Sequence, residues 1–286
     1  MFRIPASRAR EQAHATLDVK EQHVAFCEPA EVTQVTRVSP SLIRIRLRAI
    51  GSWRWFVEGR GDERIDLAFP HPGESVADVS YFNDERAGRI RQDATPPWRH
   101  YTVRKVHGDG TEFDVDFVVH DEGIAAAWAQ SAAPGQVLGV FLGSSVSRAY
   151  YAAPADAEWQ LLVADATGLP GLARIVEELP AGAVVQAVVE VPTHEDRQEI
   201  ASKGDVSWTW VVSSAGTAST LPSVVERATL PRSPGYAWVA CEATVSRQVR
   251  DVLRRVHAQP RTRHRAIGYW TAGVAGHVEQ PREGVA

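Results

Sequence analysis

The chain has 286 residues, 44% of them hydrophobic and 23% charged, with a formal net charge of −4. That is enough to bury one large or two ordinary cores, and it gives no global reason to expect a nucleic-acid partner. No apolar run reaches the roughly 18 residues that span a bilayer. The N-terminus lacks the apolar core of a secretory signal, and the two cysteines, Cys27 and Cys241, stand too far apart for a disulfide framework or zinc site. A cytoplasmic protein with no stable membrane association is expected.

Residues 1–30 are polar and weakly patterned, and read as an N-terminal arm. From Glu31 the texture changes. Val32–Val38 and Leu42–Arg48 alternate apolar and polar residues at period two around Ser39-Pro40-Ser41, which predicts two antiparallel strands. Short strands follow at Ile65–Phe69, Tyr101–Val106, Glu112–Val119 and Val137–Leu142, while Asp78–Pro97 shows no period and reads as a loop. Six strands with one capping helix, Ile124–Gln130, point to a small antiparallel barrel over residues 31–151. Ala152–Glu158 reads as a linker. Beyond it strands at Trp159–Ala164, Val184–Val191, Trp208–Val212, Tyr236–Cys241 and His264–Tyr269 alternate with helices at Leu169–Glu178, Glu195–Ser202, Thr220–Ala228 and Ala243–Ala258. This βαβ rhythm predicts a parallel sheet flanked by helices over 158–286. The expected fold is therefore α+β, an antiparallel barrel followed by an α/β domain.

The stretch Arg99-His-Tyr-Thr-Val-Arg104 carries the first chemical signal. On a strand, Arg99 and Tyr101 project from one face and Thr102 from the other. A guanidinium suits a pyrophosphate, a phenol offers a flat face to an isoalloxazine ring, and a hydroxyl can bond ring heteroatoms. The strand ending at Val119-His120 then leads through Asp121-Glu122-Gly123 into an alanine-rich helix start. Free N–H groups at such a start favour an anion, and small residues at Ala125 and Ala126 allow close approach.

These motifs, followed by Trp128-Ala129 and Pro134-Gly135, by Leu161–Pro170, by Ile175–Pro180, by Trp238–Ala243 and by Gly268-Tyr269-Trp270, occur in an order that resembles the siderophore-interacting protein family. Its members are flavin-dependent ferric-siderophore reductases related to ferredoxin-NADP reductases. The resemblance covers roughly Glu31 to Gly273. It implies that Arg99 contacts the phosphates of FAD, that Tyr101 packs against the flavin with Val103 beside it, and that Thr102 bonds its polar edge. The turn holding the pyrophosphate would comprise Val119, His120, Gly123, Ala125 and Ala126, with Trp128 beside it and no proton-transfer role for His120. Ser144 would approach the cofactor after the last barrel strand. Asp165, Thr167, Glu242 and Trp270 would serve NADPH or NADH at the strand ends of the second domain, where open α/β sheets bind ligands. Arg104, Lys105, Arg148 and Arg247 are candidate cations for a large, often anionic ferric siderophore.

The chain departs from the family at Ala164-Asp-Ala-Thr-Gly168, where Gly-Asp-Glu-Thr-Ala is usual. It has Cys241 in place of a glycine and Thr271 in place of an arginine. Cys241 is expected to narrow the nicotinamide approach. The implied activity is NAD(P)H-dependent reduction of ferric siderophores to release Fe(II), with no catalytic side chain and no protein-ligated metal. The departures motivate two alternatives: a flavin- or siderophore-binding protein with a degenerate nicotinamide site, or a flavin reductase acting on another acceptor.

Overall fold

The computed structural model describes residues 26–55, 61–86, 95–120, 123–142, 149–214 and 216–274. Six antiparallel strands close into a barrel in the order β1-β2-β5-β4-β3-β6. They are β1 (Phe26–Ser39), β2 (Leu42–Ala49), β3 (Arg64–Ala68), β4 (Trp98–His107), β5 (Glu112–Val118) and β6 (Val137–Leu142). Alternation in β2 shows why. Ile43, Ile45 and Leu47 fill the barrel core, while Arg44 and Arg46 face outward and form two-toothed ion pairs with their cross-strand partners Asp116 and Asp114. Residues 26–30 are not part of an arm: they extend β1 and pair with β6 from Phe26↔Leu142 to Ala30↔Leu138.

The segment expected as a loop after Asp78 contains a helix, α1 (Val79–Arg86). Phe82 packs edge-on to Phe141, with ring centroids 4.8 Å apart, over Cys27 and Ala68. So few apolar positions suffice to dock this short helix that they leave no period in the sequence. A second helix, α2 (Ile124–Ser131), inserts Ala125 and Ala129 into the barrel core and lays Trp128 against it.

The second domain is a five-stranded parallel sheet of order β11-β10-β7-β8-β9. Its strands are β7 (Trp159–Ala164), β8 (Val184–Val191), β9 (Asp205–Val212), β10 (Gly235–Glu242) and β11 (His264–Trp270). One face packs on α3 (Leu169–Glu178), the other on α4 (Leu221–Glu226) and α5 (Ala243–Arg255). The helix expected at Glu195–Ser202 is a single 3₁₀ turn, His194–Asp196. Asp196 accepts from Thr193 N–H and Oγ1–H, and from Ser39 and Ser41 of the barrel. The next residue, Arg197, is already extended.

The two domains share a polar seam. Asp62, just before β3, accepts from the backbone N–H groups of Tyr150 and Tyr151 and from Trp238 Nε1 of β10 at 2.8 Å. Glu63, 0% exposed, lies 2.9 Å from Arg174 of α3. Arg174 also donates to the Val103 carbonyl and to Glu178. The backbones meet closely at Gly61, where a Cβ would stand 2.5 Å from the Ile175 nitrogen. Leu42 of the barrel joins the core beneath α3.

Removing one partner of a buried ion pair strands the other. Arg174→Ala is expected to lower unfolding stability by about 3–5 kcal/mol, and Glu63→Gln combined with Arg174→Met to recover most of the loss; urea denaturation checks both. Burial pushes the Asp196 carboxyl up, but the bonds from Ser39, Ser41 and Thr193 outweigh it and hold the group below its ordinary range. A depressed carboxyl stabilises the fold above its unfolded value near pH 4 and loses that contribution as pH falls through the folded value. Asp196→Asn should therefore flatten the acid limb of a stability–pH profile below about pH 4.

Candidate functional site

The mouth of the barrel is built by β4, the end of β5 and α2. Arg99 and Tyr101 sit opposite the inward-facing Leu67 and Ile65 of β3, so register places both over the barrel interior. Tyr101 lies 4.4 Å from Phe117, and Phe69 and Trp128 complete the aromatic cluster. Burial raises the Tyr101 hydroxyl far above its ordinary value, so it stays a neutral phenol. Arg99 Nη1 donates to the Trp98 carbonyl at 2.7 Å, and no ion pair reaches Arg99 among the described residues. The buried Nε1–H of Trp128 has no hydrogen-bond partner.

Beside this cluster the chain turns at Gly123 with φ +99°, a conformation glycine adopts without strain. A Cβ there would meet the His120 ring at 3.2 Å. The first α-type bond of α2 runs from Ala127 N–H to the Gly123 carbonyl, so the N–H groups of Ile124, Ala125 and Ala126 precede the helical ladder. The mouth thus presents an uncommitted cation, an aromatic wall, an unsatisfied indole N–H and a small-residue helix start. These fit a flavin with its pyrophosphate. Val119 packs against the barrel core, His120 is exposed, and Ser144 lies outside the described residues. Val103 does not belong to the mouth. It is fully buried, its N–H donates to the Glu63 carbonyl and its own carbonyl accepts from Arg174.

Thr102 faces the other domain, as strand parity requires, toward Tyr269 of β11 and the strand ends of the sheet. The chain proceeds from β7 to β8 on one side and returns to β10 on the other, so β7 and β10 flank the topological switch point. Asp165 sits there. Its Oδ1 accepts from Thr167 N–H, Thr167 Oγ1–H and Gly168 N–H, and its Oδ2 from Glu242 N–H and Trp270 Nε1–H, the last two at 2.9 and 2.8 Å. One carboxylate therefore ties the ends of β7, β10 and β11. Burial pushes it upward against those bonds. Glu242 caps α5 through Thr244 and Val245 N–H. Asp165, Thr167 and Glu242 thus shape the crevice through internal bonds. Trp270, 44% exposed, keeps a ring face open.

Cys241 does not narrow that crevice. It is 1% exposed in the core on the α5 side of the sheet, together with Val239 and Val249, and burial raises its thiol well above the ordinary value. Nor do the candidate substrate cations converge. Arg104 is buried and makes a two-toothed pair with Glu177 of α3 at 2.7 and 2.6 Å, so it belongs to the seam. Lys105 lies on the outer barrel wall, beside a 270 Å³ groove lined also by Arg44, Arg46, His107 and Asp114. Arg247 is exposed on α5 and donates to Thr244, and Arg148 lies outside the described residues. Sequence reading missed Asp62, Glu63, Arg174 and Tyr269, whose partners are distant in the chain.

The family model for the siderophore-interacting FAD-binding domain matches residues 31–144, and that for the siderophore-interacting protein matches residues 157–273. The chain is 28% identical over 243 residues to ferric vibriobactin reductase ViuB of Vibrio cholerae, covering 82% of this chain and 86% of the relative. It is 28% identical over 247 residues to the NADPH-dependent ferric-chelate reductase of Escherichia coli, covering 84% and 91%. The crystal structure of a siderophore utilization protein from T. fusca shares the fold with a TM-score of 0.73 and 28% identity, covering 90% of this chain and 97% of that one. With matched domains in both halves and a common fold, the chain belongs to the siderophore-interacting protein family.

Proposed function

We propose that this chain is an FAD-dependent oxidoreductase that reduces ferric siderophores with NADPH or NADH and so releases Fe(II). The observation that carries the reading is the mouth of the barrel, where, among the described residues, an Arg99 without a carboxylate partner and a Trp128 Nε1–H without an acceptor flank Tyr101. A bound flavin supplies the hydride acceptor and the single-electron donor. Arg99 neutralises the phosphates with charge-assisted bonds, and the N–H groups at the start of α2 complete their cradle. Tyr101, a neutral phenol at any physiological pH, orients the ring without exchanging protons. Trp270 shields the crevice at the end of β11, and Asp165 holds its indole there. No side chain is required as an acid or base. Iron arrives already chelated by the siderophore. Hard oxygen chelators hold the divalent ion less strongly than the trivalent one, so reduction favours release.

The reading is supported by both relatives, whose names describe reduction of ferric vibriobactin and of ferric chelates. The internal commitment of Asp165, Thr167 and Glu242 favours a second reading, a flavin or siderophore binder that makes no use of nicotinamide. An anaerobic visible spectrum decides between them. Bleaching of the flavin by NADPH and its recovery on adding a ferric siderophore is expected. A flavin that binds but never bleaches would favour the second reading, and recovery no faster with ferric siderophore than with a quinone would favour another acceptor.

Three single variants check the placement of the site. Arg99→Ala should weaken FAD binding about 10- to 100-fold and Trp128→Phe about fivefold, from the worth of a charged and a neutral hydrogen bond; titration of apoprotein by FAD fluorescence measures both. Asp165→Asn weakens an acceptor shared by five donors, so the KM for NADPH should rise about tenfold while FAD affinity stays unchanged. Steady-state kinetics beside the same titration separates the two effects.

A further inference from the structure

Between Arg247 and Arg265 the chain carries seven arginines against one carboxylate, Asp251, although its overall formal charge is −4. Arg247, Arg250 and Arg254 stand at i, i+3 and i+7 of α5 and share one face. Val249 and Leu253 form the buried side of that helix, so the arginine row faces away from the core. Like charges at three- and four-residue spacing repel each other along a helix. Arg261, in the 3₁₀ turn Arg261–Arg263, extends the row. His264 records the combined field: burial first, then Arg254, Arg250 and Arg261, hold its imidazole below the ordinary value against the bond to the Pro260 carbonyl. Asp251 lies 3.6 Å from Arg250 and Asp156 pairs with Arg263. Among the described residues no ion pair reaches Arg254, Arg255 or Arg261. Val256, 52% exposed, follows the ridge at the end of α5.

We propose that this arginine ridge docks the protein, peripherally and reversibly, on an anionic membrane surface of acidic phospholipid headgroups. From Arg247 to Arg254 the ridge runs about 10 Å along the helix axis, which suits a field of headgroups better than one small anion. A protein partner would need an apolar or aromatic centre, because charge is depleted from interface cores. The ridge offers guanidinium groups and a single valine. Attraction to acidic lipid needs no such centre, since it grows with each basic residue near the surface. Arg261 and His264 lie at the start of β11 and Trp270 at its end. Contact through the ridge therefore leaves the crevice at Asp165 open to its ligands. Among the described residues no helix is long and apolar enough to cross a membrane.

Co-sedimentation of the full chain with phosphatidylcholine vesicles containing about 30% phosphatidylglycerol tests this. Binding is expected at low ionic strength, absent on pure phosphatidylcholine and abolished near 0.5 M salt, roughly where the Debye length falls to a few ångström. The triple variant Arg250→Gln/Arg254→Gln/Arg261→Gln should partition about 100-fold less. The same charge change on the barrel, Arg37→Gln/Arg48→Gln/Arg54→Gln, should leave partitioning unchanged. In the wild-type chain, the His264 imidazole resonance should titrate at higher pH once vesicles are present. No binding to the acidic vesicles, equal binding to neutral ones, or equal loss in both triple variants would overturn the proposal. Retention on duplex DNA or an acidic protein without vesicle binding would overturn it in favour of that partner.

Discussion

Asp62 and Glu63, adjacent acids at the entrance to β3, join the two halves of this molecule. One gathers the N–H groups of Tyr150 and Tyr151 and the Trp238 indole, and the other takes Arg174 out of α3. Burying two carboxylates costs several kcal/mol each unless donors surround them. Here donors from Tyr150 and Tyr151, just before the linker, and from β10 and α3 surround them only when both domains are in place. The seam therefore favours one relative orientation. Burial still pushes the Asp62 carboxyl upward against its bonds, so its donors offset a desolvation cost that remains visible. Arg104 with Glu177, and Asp196 with Ser39 and Ser41, add independent clasps along the same boundary.

That orientation makes a site out of two partial ones. The barrel mouth has Arg99, Tyr101 and Trp128, and the sheet ends have Asp165 and Trp270. They become neighbours across β4, where Thr102 faces the second domain while Tyr101 next to it faces the barrel interior. The alternation of a single strand thus lets β4 serve both domains. Asp165 then aligns three strand ends with one carboxylate.

Much of the architecture could be read directly from the chain. The alternation in β2, the apolar run Val184–Val191 and the bounds of α3, with Pro170 in its first turn and Pro180 just beyond it, are local patterns, and their elements stand where the patterns place them. Arg99, Tyr101 and the turn at Gly123 were legible because strand parity and helix-start chemistry act over a few residues. Helix α1 leaves no period in the sequence, since it docks through Val79, Tyr81 and Phe82 and through two hydrogen bonds between Asn83 and the Cys27 backbone. No helix follows Glu195, because Asp196 bonds Ser39, 157 positions away, a partner local pattern does not show. Arg104 reads as a free cation in the sequence because its partner Glu177 lies 73 residues on.

By itself, then, the sequence determined the order of the strands, the class of each domain and the residue types at the barrel mouth. Periodicity, turn chemistry and side-chain direction all follow from neighbours within a few positions. Tertiary structure decided which charges are available and which are engaged. It left Arg99 open and paired Arg104 and Arg174, turned Cys241 into the core, and committed Asp165 and Glu242 to holding strand and helix ends. Charge pairing depends on distance and desolvation, and both are set only when remote segments close around the same few ångström of space.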